Sequence, residues 1–465
     1  MWGCIGAALS IFYSLAYRKY AYFNGETNDL TVFAYAFAHT FKGSFLPVYF
    51  TKGNLLGLHP DFILLFWLPV YAVWRSFYSL LFYQSLMLTI SAWPVYLLAK
   101  RVLLNDRAAL LVGITFLLFP TIASQHVNQL HDDQFALPFI LFAFYYYHRQ
   151  DFPKFALFIV VACLAKESIT ITTAAFGIYA LLERRPWKWV LMPLVFSAAY
   201  LISAIKIMTS GVTGIGSGLY TGTTYLDAYG KTPGEVLKTF LTRPGFVFQT
   251  VFAPPKLDYL WKLLLPVLYF LPFLGFAIIV SLPNLFLNLV ASNPAMTVIP
   301  WHYSIILGAT LITASVFGIK RLADWLPKQA SKLIIGLPAG MAILSLIGIQ
   351  FWYHSEDYQP KPYQATLERV LAMIPPDASV LCPTPMSAHF ANQPKVLSAY
   401  SLLVMDKKPE LLTDYDFIVL DGNWRAYEAI GQMQLVKLFN ETPALQQRFR
   451  TVLQQDNVFV LQQVR

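Results

Sequence analysis

Five polar clusters interrupt a strongly apolar chain, and each carries side chains able to do chemistry. Asp29, in Glu26-Thr27-Asn28-Asp29-Leu30, offers a carboxylate that can take a proton from a hydroxyl or cap the helix that follows. His131-Asp132-Asp133 sets two carboxylates beside an imidazole, which suits a divalent cation or a tuned general base; the plainer role is a cap for a helix beginning at Phe135. Lys166-Glu167 breaks what would otherwise be one apolar helix over Phe155–Leu182, longer than the roughly 20 residues of a span. An ammonium placed there matches a phosphate, and the plainer alternative is a Lys–Glu pair satisfying itself. His59, in Gly57-Leu58-His59-Pro60-Asp61, and His302, in Pro300-Trp301-His302-Tyr303, stand where the chain re-enters apolar runs, as cavity-lining or structural residues. No HExxH, Walker loop, GxSxG or Cys/His metal spacing occurs. Cys4, Cys163 and Cys382 are too dispersed for a disulfide framework.

The elements that position these residues are transmembrane. Of 465 residues 57% are hydrophobic and 13% charged, with a mean hydropathy of +0.51. A soluble globule carries roughly twice that charge, and a disordered chain is excluded outright. The net charge of +9 sits in clusters between apolar runs, among them Lys100-Arg101, Arg184-Arg185 and Lys320-Arg321, which read as cytoplasmic anchors rather than a nucleic-acid surface.

Length and composition predict ten or eleven spans: Trp2–Tyr17, Ser76–Ala99, Ala108–Ser124, Phe135–Tyr147, Phe155–Ala165, Ser168–Leu182, Val190–Met208, Leu260–Val280, Tyr303–Ile319 and Leu333–Phe351, with a short helix near Pro283–Leu289. The charge rule places residues 18–75 outside as a loop with two surface helices, Leu30–Thr40 and Asp61–Trp74. It also places the loop 209–258 and every polar cluster on that same external side. Residues 1–353 are thus expected to form a transmembrane domain. After it, an amphipathic helix at Tyr363–Met373 and strand-like runs at Ser379–Cys382, Phe417–Leu420 and Val458–Gln462 predict a small soluble α/β domain over 354–465, on the extracytoplasmic side.

The order of these features resembles the GT-C superfamily of membrane glycosyltransferases. More closely, Asn28-Asp29-Leu30-Thr31-Val32-Phe33, His131-Asp132-Asp133-Gln134-Phe135-Ala136-Leu137-Pro138, Lys166-Glu167-Ser168, His302-Tyr303 and Ile374-Pro375-Pro376-Asp377-Ala378-Ser379-Val380 resemble the bacterial membrane family called domain of unknown function 2079. The superfamily resemblance implies sugar transfer from a polyprenyl-phosphate donor to an acceptor outside the plasma (inner) membrane, usually with inversion. It implies Asp29 as base, Asp133 and Asp132 as second acid, and Lys166 as donor-phosphate contact. Glu167, His59, His131, His302 and Tyr303 would line the substrate cavity. It leaves room for a divalent cation, Mg or Mn, at Asp29 and Asp133. The chain departs from the pattern in lacking a second acid after Asp29, where Ala34-Tyr35 follow Phe33. Two other functions remain compatible with the same residues: a transporter or flippase of a lipid-linked or anionic solute, and a structural assembly subunit.

Overall fold

Prolines and capping side chains set where the helices begin and end. The computed structural model describes residues 1–215, 224–399, 409–423, 436 and 440–464; part of the 209–258 loop, residues 216–223, lies outside them. Asn105 caps the helix Asp106–Leu118 by accepting from the Ala108 N–H at 2.9 Å. Pro120, which lacks an N–H and cannot continue the ladder, then bends the chain by 51° into Pro120–His126. Thr232 and Glu235 form a capping box at the start of Pro233–Thr242.

The chain packs as two units. The first comprises Met1–Ser14, Leu56–Trp67 and Leu81–His354. Among the described residues four stretches are long and apolar enough to cross a membrane: Phe77–Leu103, Trp187–Thr209, His302–Trp325 and Pro327–Phe351. The bent pair at Pro120 makes a fifth. Two shorter apolar helices, Phe152–Cys163 and Ile169–Leu182, match the expected pair Phe155–Ala165 and Ser168–Leu182, with the chain broken at Leu164–Ser168 as the Lys166-Glu167 interruption predicts. His302–Trp325 has 78% of its apolar window buried and is central, whereas Trp187–Thr209 and Pro327–Phe351, at 22% and 28%, present most of their surface outward. Small residues let neighbours approach the central helix closely. A Cβ on Gly318 would run into the Leu271 carbonyl oxygen. Gly318→Ala is therefore expected to cost about 1–3 kcal/mol by overpacking, despite the better helix propensity of alanine. Thermal melting of the variant in detergent checks this, and an unchanged or raised midpoint contradicts it.

The expected span Leu260–Val280 is not one helix. Pro254–Leu264 ends there, and short 3-10 turns follow at Leu265–Val267, Leu271–Leu274 and Phe276–Val280. Pro266 and Pro272 each remove a backbone donor, and Leu268 and Tyr269 turn the chain in the left-handed region at φ 53° and 60°. Further on, Leu282–Val290 forms a short helix.

The second unit comprises Leu15–Leu55, Leu68–Leu80 and Ser355–Arg465. Its sheet contains β1 (Val380–Cys382), β2 (Val396–Ser398), β3 (Phe417–Asp421), β4 (Phe449–Gln455) and β5 (Val458–Gln463), in the order β2-β1-β3-β5-β4. The β1–β2 and β1–β3 pairs are parallel, and β3–β5 and β4–β5 antiparallel. Asn28–Thr40, expected as a surface helix, is mostly buried in this unit, because Thr27 and Thr31 bond into the Thr384–Ser387 turn. The second expected surface helix is split into Phe62–Phe66, a 3-10 turn, and Leu68–Val73.

Candidate functional site

In the helical unit the broken hairpin fixes Lys166 and Glu167. The Lys166 and Glu167 carbonyls accept from the N–H groups of Ile169 and Thr170 at 3.2 Å each, so the break ends in a turn that starts the next helix. The Leu164 carbonyl, freed by the break, accepts from the Ile63 N–H at 3.0 Å, and the Tyr200 hydroxyl donates to the Pro60 carbonyl at 3.2 Å. These two bonds hold the segment His59–Leu64 against the hairpin.

The side chains then pair across the sequence. Lys166 Nζ donates to Asp132 Oδ1 at 2.9 Å and to Asp133 Oδ2 at 3.2 Å. Glu167 instead receives His59, whose Nδ1 lies 3.0 and 3.1 Å from its two oxygens. The self-satisfied Lys166–Glu167 pair is thus not what forms, since each side chain has a partner far away in sequence. His302 Nε2 stands 4.0 Å from Asp133 Oδ2, and its ring stacks on His131 with centroids 3.5 Å apart. Tyr303 packs on His302 at 3.9 Å. Asp132 also accepts from the Asp133 N–H at 3.0 Å, as N-cap of Asp133–Arg149, so capping and pairing coexist in one carboxylate.

Burial makes these charges depend on one another. Burial alone would favour neutral Lys166, yet the charges of Asp132, Asp133 and Glu167 hold its ammonium well above the ordinary range. For Asp132 burial also works against the charge, but Lys166 and His59 outweigh it and keep this carboxylate low. Asp133 is shifted up, by burial against the pull of Lys166. Burial and Lys166 pull His59 down, while Glu167 brings it above the ordinary imidazole value. Burial, with the positive charges around it, keeps His131 neutral. An ammonium has three donors, and among the described residues Lys166 uses two. Its third donor is the group an anion would meet.

Asp61 belongs to this cluster, although its place in the sequence suggests only the start of a surface stretch. Its carboxyl is fully buried, and neither oxygen has a hydrogen-bond partner of good geometry. Burial, followed by the nearby Asp132 and Glu167 charges, raises it well above the ordinary carboxylate range. In the unfolded chain Asp61 ionises near its ordinary value and in the folded chain far above it. Between those values the folded state holds the extra proton, so raising the pH favours unfolding by up to about 1.4 kcal/mol per unit. Asp61→Asn, which mimics the neutral acid, is expected to flatten that slope. Melting of both proteins from pH 5 to pH 8 reads it, and parallel slopes contradict it.

Asp29 lies in the second unit. It stands in the first turn of Asn28–Thr40 and is not the cap, since Thr27 occupies that position. Asn28 beside it accepts from the hydroxyls of Tyr49 at 2.8 Å and Ser398 at 3.2 Å. Among the described residues no group of three His, Cys, Asp or Glu side chains has the arrangement of a metal site, and Lys166 already engages an oxygen of Asp133. This donor set does not fit a resident divalent cation, so no step below runs through one.

The fold has solved counterparts. The crystal structure of ArnT from Cupriavidus metallidurans bound to undecaprenyl phosphate superposes with a TM-score of 0.58 at 12% identity, covering 99% of this chain and 97% of that one. The apo structure of the same protein gives 0.56 at 11% identity, covering 98% and 97%. The architecture is thus a helical membrane fold like that of ArnT, with a small C-terminal sheet region. None of the curated proteins matches the chain. The model of the family described as "Predicted membrane protein (DUF2079)" matches residues 19–460. With nearly its whole length inside that match, the chain belongs to the DUF2079 family of predicted membrane proteins.

Proposed function

We propose that this protein is a GT-C-type glycosyltransferase that moves a sugar from a polyprenyl-phosphate donor to an acceptor outside the plasma membrane. The observation that carries the reading is Lys166, an ammonium braced by Asp132 and Asp133 with one donor unclaimed among the described residues. The fold adds support, since a protein of the same architecture was crystallised with undecaprenyl phosphate.

In this reading the acceptor hydroxyl loses its proton to a carboxylate, for which Asp29 is the candidate the sequence offers, as its oxygen bonds to the anomeric carbon. The bond from that carbon to the phosphate oxygen breaks, and polyprenyl phosphate leaves with the electron pair. Lys166 meets the charge growing on the phosphate. Asp132 and Asp133 fix the ammonium, His59 does the same for Glu167, and neutral His131 stacked on His302 lines the anion's side of the cluster. The prenyl chain remains in lipid, and the sheet-bearing unit lies on the extracytoplasmic side.

The test is turnover. Purified protein in lipid nanodiscs is incubated with radiolabelled polyprenyl-phosphate sugars and a membrane acceptor fraction. Movement of label from donor to acceptor is expected, and to disappear in Lys166→Met. Donor binding without transfer, across a broad donor panel, would assign the cluster to carriage of a lipid-linked anion instead.

A further inference from the structure

The second unit holds a cavity of about 570 Å³, a volume within the range of small-molecule sites. Lys42 and Arg75 line it together with Tyr71, Phe77, His389 and Gln393, and among the described residues no carboxylate does. Lys42 rests its ammonium on the Asn392 carbonyl and keeps further donors. The Arg75 guanidinium lies 5.0 Å over the Phe41 ring, and among the described residues it makes no hydrogen bond or ion pair. His389 adds no charge, since burial holds it down to about 4; its Nε2 contacts the Tyr20 carbonyl at 3.1 Å. Gln393 is buried. Its amide N–H donates to the Pro375 carbonyl at 2.9 Å, and among the described residues its buried side-chain oxygen has no hydrogen-bond partner.

The rim is apolar and outward-facing. Phe41 stacks on Tyr71 with centroids 6.1 Å apart, tying the end of one helix to the short helix Leu68–Val73. Around them Val73 is 89% exposed, with Trp74 at 42% and Phe41 at 39%. A cationic pocket inside an exposed rim of Trp, Phe and Val is the surface that meets the headgroup level of a bilayer. A freely soluble anion would leave that rim uncovered.

We propose that this cavity binds the headgroup of an anionic phospholipid, with Lys42 and Arg75 on the phosphate and Phe41, Val73 and Trp74 against the acyl region. This site is separate from the Lys166 cluster and does not depend on the transferase reading.

Native mass spectrometry of the full chain in detergent measures lipid retention, using phosphatidylglycerol and phosphatidylcholine as probes. Two juxtamembrane cations favour the anionic lipid by about tenfold or more. That preference is expected to fall within about twofold in Lys42→Gln/Arg75→Gln and to persist in Arg75→Lys. An unchanged preference in the Gln pair overturns the proposal. So does a melting shift from millimolar inorganic phosphate equal to that from the lipid, which would point to a soluble phosphorylated ligand. Should the Gln pair fail to fold, photoactivatable phosphatidylglycerol on the wild type decides: labelled peptides from the Phe41 and Val70–Phe77 regions support the site, and labelling only elsewhere removes it.

Discussion

Lys166→Met is expected to lower the stability of the protein by about 3–5 kcal/mol, the usual penalty for removing one partner of a buried ion pair, and to abolish donor binding. The ammonium is the shared partner of Asp132 and Asp133, and without it His59 is the remaining cation among the described groups of the cluster. His59 is already engaged with Glu167. Both carboxyls must then take up protons to stay buried. The variant therefore binds protons in its folded state at a pH where the unfolded chain has released them, and its stability falls further as the pH rises above the ordinary carboxylate range. Wild type and variant should differ least near pH 4 and most near pH 8. Asp132→Asn on top of Lys166→Met removes one stranded charge and should restore part of the loss, a coupling that an additive pair would not show. A loss below about 1 kcal/mol in the single variant, with donor binding intact, would contradict the role of Lys166 as the brace of this site.

The break that holds Lys166 is legible from length alone, because an uninterrupted apolar run over Phe155–Leu182 exceeds one span and a charged pair sits at its centre. Its partners are not. Asp132 and Glu167 look alike in sequence, and only the docking of His59–Leu64 on the freed Leu164 carbonyl hands Glu167 to His59 and leaves Lys166 to the aspartates. Asp61 is hidden for a related reason: an acid after proline at the start of an apolar stretch reads as a helix cap, and its burial comes from tertiary contacts. In the sheet, β3 and β5 announce themselves by runs of β-branched and aromatic residues. Three-residue β2 is too short to show a period. Edge strand β4 carries Arg450, Thr451 and two glutamines outward, so no apolar run marks it. Hydropathy suggests a span over Leu260–Val280 because it counts Pro266 and Pro272 as ordinary apolar residues, although they withhold the donors a helix needs. The helix at Asn28–Thr40 shows in the sequence, but its burial does not, since nothing local tells that Thr27 and Thr31 will bond to a turn some 360 residues away.

Asp29→Asn is expected to reduce turnover by about 10²–10⁴-fold while leaving donor binding near the wild-type value. The amide matches the carboxylate in size but cannot take the proton that the acceptor hydroxyl must lose as the new bond forms, so the loss falls on kcat rather than on donor affinity. The fold gives reason to expect an intact variant. The first turn is anchored by Thr27 and Thr31 on Ser387 and by Asn28 on Tyr49 and Ser398. Among what the substitution removes is the attraction of one carboxylate for the helix N-terminus, about 0.3–1 kcal/mol. Asp29→Glu keeps the base but moves it by one methylene, and a partial recovery of turnover over Asp29→Asn would mark proton transfer rather than charge as the function of this side chain. Full turnover by Asp29→Asn, with donor and acceptor both bound, would move the base to another carboxyl, and the buried acids Asp133 and Asp61 would be the next to replace.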